Sequence, residues 1–176
     1  MPAATFERFD YRVRPAKSVE RRMMCDAFRR LSPFGSIRSY RYIGFGANSF
    51  VDFILFHRQL GIDQMISIES YVDLKPRIEF NCPFKCIDIR FGSSSTVLPD
   101  IDWSVRSIVW LDYDKSLKMN MLNDIKTVAS RAVPGTFVCV SVAADIGADE
   151  DDNSQVNPQE SEPDRRLRRL SERLPA

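Results

Sequence analysis

From residue 37 to residue 144 the chain repeats one pattern: a short, almost wholly apolar run, a longer connecting stretch, then another apolar run. The runs are IRSYRYIGFG (37–46), DQMISIES (63–70), FKCIDIRFG (84–92), RSIVWLDYD (106–114) and PGTFVCVSVAA (134–144). A strand wetted on one face alternates polar and apolar residues. Near-continuous apolar runs instead mean burial on both faces, which is the condition of a parallel sheet between two layers of helices. The sequence therefore predicts an α/β domain of three layers, with a mostly parallel sheet of about five strands. Right-handed crossovers then bring every strand-to-helix loop to the same carboxyl edge.

The connecting stretches fit that reading. NSFVDFILFHRQLG (48–61) is apolar nearly all round and stops at Gly61, so it reads as a buried helix. His57, the only histidine, lies late in it and reads as a packed side chain. KSLKMNMLNDIKTVASRAV (115–133) puts Leu117, Met121, Leu122, Ile125 and Val128 on one side, and SSSTVLPDIDW (93–103) reads as a short helix or loop. Ahead of the first strand, SVERRMMCDAFRRL (18–31) predicts an amphipathic helix capped by Ser18, with Met23, Met24, Ala27, Phe28 and Leu31 inward. Arg14 and Lys17 flank Pro15 just before it, as solvated loop residues or as an anion-binding pair.

Composition narrows the class. With 176 residues, 44% hydrophobic and 28% charged, the chain has enough material for one domain with a real core. The net charge of +1 is unevenly spread: residues 149–176 hold eight acids against five arginines, which leaves 1–148 mildly basic. That is far from the clustered positive face that duplex nucleic acid requires, and a small or anionic ligand suits it as well. No stretch is long and apolar enough to span a membrane, and the N-terminus lacks an apolar signal region, so a cytoplasmic location is expected. Cys25, Cys82, Cys86 and Cys139 do not suggest a disulfide framework. Cys82 and Cys86 have no second Cys or His pair, and no metal site is expected. The domain is expected to occupy 1–148, with 149–176 an acidic, then arginine-rich, disordered tail.

The polar residues converge on one edge. The carboxyl ends of the first four strands carry GFGANS, Glu69, GSSS and Asp112-Tyr113-Asp114. Glycines where a strand hands over to a helix permit close backbone approach to a ligand. An acid closing the next strand, 23 residues past Gly46, suits the two hydroxyls of a ribose. The alternatives are a tight turn and a surface glutamate.

This order of elements resembles the class I S-adenosylmethionine-dependent methyltransferases, which share a Rossmann-like sheet. IGFGANSFVDFILFHRQLGIDQMISIES and WLDYD are similar, more closely, to a group of bacterial proteins described as putative O-methyltransferases. The likeness covers roughly residues 11 to 143. It implies a cofactor, S-adenosylmethionine, cradled by the first loop. Gly44 and Gly46 match its first two glycines, Asn48 stands where the third belongs, and Tyr42 replaces an acid. Glu69 matches the ribose-binding acid, and Ser93 occupies the place from which an adenine contact is made. At the fourth strand, Asp112 and Asp114 fall beside the methyl acceptor. The absence there of a polar-Pro-Pro-aromatic motif argues against amino-methylating nucleic-acid enzymes and leaves oxygen acceptors.

Methyl transfer from a sulfonium is an in-line displacement, in which alignment supplies much of the rate and a carboxylate can take the hydroxyl proton. Asp112, then Asp114, are the candidate bases; capping of the following helix is the structural alternative for both. The superfamily usually adds two further strands, an antiparallel edge this sequence does not suggest, which leaves an edge open to a second copy or a partner chain. Three functions follow: an O-methyltransferase, a degenerate relative serving as a binding subunit, and another nucleotide-binding α/β protein. An NAD site would need a glycine where Ser49 stands.

Overall fold

The computed structural model describes residues 15–144, with residues 161, 163, 164, 167, 168 and 171 of the tail. Arg14 and most of the predicted tail lie outside these. Helix α1 (Pro15–Arg29) precedes strand β1 (Arg41–Gly44), and α2 (Val51–Leu60) leads to β2 (Gln64–Glu69). Then come α3 (Lys75–Asn81), β3 (Ile87–Phe91), the single-turn α4 (Ser94–Val97), β4 (Ser107–Ser116), α5 (Met119–Arg131) and β5 (Phe137–Ala143). The strands form one sheet in the order β3-β2-β1-β4-β5, and every pairing is parallel. This is the doubly wound arrangement that the apolar runs predict.

The pleat explains why those runs lack alternation. Tyr42, Met65, Ile108 and Trp110 point to one face, where they meet Phe28 of α1 and Phe53 and Phe56 of α2. Ile43, Ile66, Ile68, Val109 and Leu111 point to the other, against Val97, Leu98, Trp103 and Val128. The first cluster is largely aromatic: Tyr42 lies edge-on to Phe53 and Phe56, with centroids 4.8 and 4.9 Å away, and Phe28 meets Phe56 at 5.1 Å. Such edge-to-face pairs add to the area they bury.

Several local readings change. Helix α1 already includes Pro15 to Lys17, so Ser18 lies within it and does not cap it. It turns Arg21, Cys25 and Phe28 inward and leaves Met23 66% exposed. The inward face is the one that lets Arg21 reach Asp52 while Phe28 enters the aromatic cluster. Helix α3 is absent from the sequence reading; Pro76 near its start is the signal that could have shown it. His57 packs as expected: Nδ1 lies 2.8 Å from the Ile62 carbonyl and the ring rests on Phe84, 4.4 Å between centroids.

The largest departure is at β4, which runs on through Lys115 to Ser116. The ladder with β5 is regular to Asp112, irregular over the next residues, and resumes where Ser116 pairs with Ala143. Asp114 therefore lies within a strand and does not cap α5, which starts at Met119 behind Lys118. Inside α5, Asp124 joins Met121 and Val128 as a buried residue. Among the described residues nothing pairs with the outer edge of β5, whose Val138 and Val142 are exposed. No described helix is long and apolar enough to cross a membrane.

Candidate functional site

The carboxyl edge of the sheet opens into a cavity of about 750 Å³, within the size range of small-molecule sites. Gly46 and Ala47 wall it beside β1, Glu69 to Tyr71 beside β2, Gly92 to Ser94 beside β3, and Asp112 to Lys115 along β4. Helix α1 contributes Lys17, Glu20 and Arg21, and α2 contributes Asp52. Thus Gly46, Glu69, Ser93, Asp112 and Asp114 are gathered at one site. Gly44 and Asn48 stand outside it. The Asn48 carbonyl accepts from the Asn81 side chain at 3.0 Å, which turns that residue towards α3.

The first loop is tied to β2 through Glu69. The backbone N–H of Gly46 donates to Glu69 Oε1 and to Ser67 Oγ, each at 3.0 Å, and the Ser67 hydroxyl donates to the same carboxylate oxygen at 2.6 Å. Glu69 is 3% exposed. Burial lifts its pKa to about 7, against the pull of Ser67 and the N–H groups of Gly46 and Ala47. A carboxylate offers about four lone-pair sites, so acceptor capacity remains for a ligand diol.

Both glycines sit where a side chain has no room. A Cβ on Gly46 would stand 2.4 Å from Ser67 Oγ and 2.7 Å from the Phe50 ring; one on Gly44 would stand 2.5 Å from the Tyr42 hydroxyl. The left-handed residues of this turn are Ala47 and Phe50, with φ of 48° and 49°. The loop therefore approaches the sheet closely through glycine and bends through other residues.

At the other end, charge is concentrated in pairs. Lys17 Nζ donates to both carboxylate oxygens of Asp112 at 2.8 Å, reaches Glu20 at 3.1 Å, and lies 5.2 Å above the Trp110 ring. Burial pulls the Lys17 pKa down, and Asp112 and Glu20 more than reverse it, so the ammonium persists above its usual range. Arg21 Nε donates to Asp52 Oδ1, both residues being buried. Burial raises the Asp52 pKa, and Arg21 opposes it. Tyr42 is wholly buried beneath these groups. The sequence reading offers Lys17 only with Arg14 as an anion-binding pair; Arg21 was missed because α1 enters the cavity from outside the sheet pattern, and Asp52 because it lies in a helix that reads as apolar nearly all round.

A third cluster supports the β3 and β4 sides. Asp124 accepts from Ser94 Oγ at 2.5 Å and from the Tyr113 hydroxyl at 2.7 Å. Burial and the Asp124 charge push the Tyr113 phenol well up, so it stays a donor. Tyr113 in turn lies edge-on to Phe45, 5.2 Å between centroids. Ser93 caps α4, accepting from Thr96 N at 3.3 Å. No group of three or more potential metal ligands occurs among the described residues.

A family model described as "Putative O-methyltransferase" matches residues 9–176. No curated protein and no solved structure matches the chain.

Proposed function

Since the chain belongs to this putative O-methyltransferase family, we propose that it transfers the methyl group of S-adenosylmethionine to an oxygen acceptor, a small molecule bearing a hydroxyl. The observation that carries the reading is the Glu69–Gly46 tie, which sets a buried carboxylate beside the first loop on the cavity wall. The residues suit the cofactor: Glu69 would take the ribose hydroxyls, Gly46 and Ala47 would line the thioether, and the Ser93 turn would border the adenine.

When bound, the cofactor supplies a methyl group on a positive sulfur. The protein's part is to align an acceptor and manage its proton. Both oxygens of Asp112 are engaged by Lys17, so in this reading Asp112 is a charge partner, and Asp114, exposed at the cavity wall, is the carboxylate that would receive a hydroxyl proton. The wall of β4 and β5, with Val142 and Ala143, would exclude water from the acceptor.

The test is calorimetric titration with S-adenosylmethionine, NAD and ATP, on the chain and on Glu69→Gln, followed by transfer of radiolabelled methyl to hydroxyl acceptors. The expected result is micromolar-range binding of the first ligand alone, weakened at least about tenfold in the variant. Failure of all three to bind would overturn it. A second reading, a degenerate relative acting as a binding subunit, draws support from buried Tyr42 and the uncovered edge of β5. Binding without transfer by the isolated chain would favour it.

A further inference from the structure

The two edges of the sheet are finished differently. Strand β3 carries Asp88 and Arg90, an exposed ion pair at 2.9 Å, and charged side chains of this kind blunt an edge against another chain. Strand β5, FVCVSVA, has no charge, proline or glycine in its length, and Val138 and Val142 stand 39% and 38% exposed on it. Its valines and phenylalanine favour strand pairing. An uncharged apolar edge of this length is a template for another strand.

We propose that the strand it receives is β5 of a second copy, the two edges pairing antiparallel about a two-fold axis at Val140. Such a contact uses one patch twice, so the strand must complement itself. It does: Val138 falls opposite Val142 of the second copy, Phe137 opposite Ala143 and Cys139 opposite Ser141, and no like charges meet. The chain beyond β5 favours a second copy over a strand folded back from the same molecule. Residues 145–164 hold eight acids with Asn, Gly and Pro among them, a composition that strands avoid. Antiparallel pairing instead sends these acids towards the start of the second copy's β5, where Arg106 and Arg131 are exposed. Arg106 Nε donates to the Pro134 carbonyl at 3.2 Å and Arg131 Nη1 to the Pro99 carbonyl at 2.5 Å, neutral partners that leave both charges uncompensated among the described residues. Counted along the same register, Asp149 comes level with Arg131 of the second copy. Ser141, Val142 and Ala143 also line the cavity, so the pairing would set Val138 of the second copy beside that wall. The contact does not depend on which ligand fills the cavity.

Sedimentation equilibrium of the full chain, up to about 100 μM, is the first measurement. One strand pair makes an interface at the small end for stable dimers, so a dimer dissociating in the micromolar range is expected. Val138→Lys/Val142→Lys would set lysines opposite one another twice, and Val138→Glu/Val142→Glu would do the same with acids. Each variant alone should weaken the dimer by roughly tenfold or more, and the two mixed should associate as a heterodimer, lysine against glutamate. Neutralising the acidic run, with Asp149→Asn, Glu150→Gln, Asp151→Asn and Asp152→Asn together, should weaken the dimer by roughly threefold or more and flatten its dependence on salt. Hydrogen exchange of the unaltered chain reads the same edge without substitution: the β5 amides should gain protection as the concentration rises.

A chain that stays monomeric throughout, a dimer that both charged variants leave intact, or a mixture that fails to associate would each overturn the pairing. A monomer whose β5 amides are protected at every concentration would give the edge to its own C-terminal segment instead. A dimer as tight and as salt-dependent with the acids neutralised would overturn their contact with Arg106 and Arg131.

Discussion

Glu69 is the residue on which the site turns, and its chemistry has a direct consequence. Its carboxyl is raised from an ordinary 4.5 to about 7 in the fold. Because the folded state prefers the protonated form, the stability this group contributes is fully present below pH 4.5 and is lost as the pH rises through 7. The loss is on the order of 3 kcal/mol at full ionisation. Thermal denaturation of the ligand-free chain should therefore show the melting temperature falling between pH 5 and pH 8, with a flatter profile in Glu69→Gln. A profile unchanged by the substitution would locate the titrating group elsewhere. At this scale the sequence was partly legible. An acid closing an apolar strand marked Glu69, and the glycine pattern marked Gly46 on the cavity wall, whereas its close packing on Ser67 and Phe50 could not be read locally. Asn48 sits in the right motif yet faces Asn81, because the turn bends at Ala47 and Phe50, which nothing local in GFGANSF announces.

Among the elements, α4, β4 and α5 are joined by Asp124, which is 2% exposed and serves two hydroxyls. Asp124→Ala would leave the Ser94 and Tyr113 hydroxyls without that acceptor and should cost on the order of 3 kcal/mol, with Asp124→Asn costing less because an acceptor oxygen remains. Chemical denaturation with an unchanged slope would read this, and equal costs for the two variants would show that shape, not hydrogen bonding, matters there. The strands were legible because burial on both faces writes itself into composition. The inward face of α1 was not: Met23 and Arg21 compete for it, and a helical period cannot tell that Asp52, 31 residues later, claims the arginine. The end of β4 was hidden for a similar reason, since DYDK looks like the polar start of a helix and its pairing with β5 is a long-range event.

For the whole molecule, one sheet carries Glu69 and the Lys17–Asp112 pair on the two strands that flank β1, so a ligand spanning both would tie β2, β1 and β4 to α1. A ligand that binds only the folded state stabilises it by mass action, about 2.7 kcal/mol at a hundredfold excess over Kd. S-adenosylhomocysteine should therefore raise the melting temperature by several degrees, for a chain of this size, in proportion to the logarithm of its concentration. No shift at saturating ligand would mean that the cavity serves another molecule. The architecture as a whole was readable from the alternation of runs, and the family match to residues 9–176 extends beyond the part that shows it.

The irregular stretch of β4 sets how such a site can diversify. Tyr113, Asp114 and Lys115 project from a strand pinned to β5 on both sides, at Asp112 with Ser141 and at Ser116 with Ala143. A bulge held at its two ends re-aims side chains without adding length. This wall of the cavity is thus a fixed frame with exchangeable fittings. A different ligand would be accommodated by replacing Asp114 or Lys115, with Tyr113 kept for Asp124, while insertions there would unzip the strand that carries them.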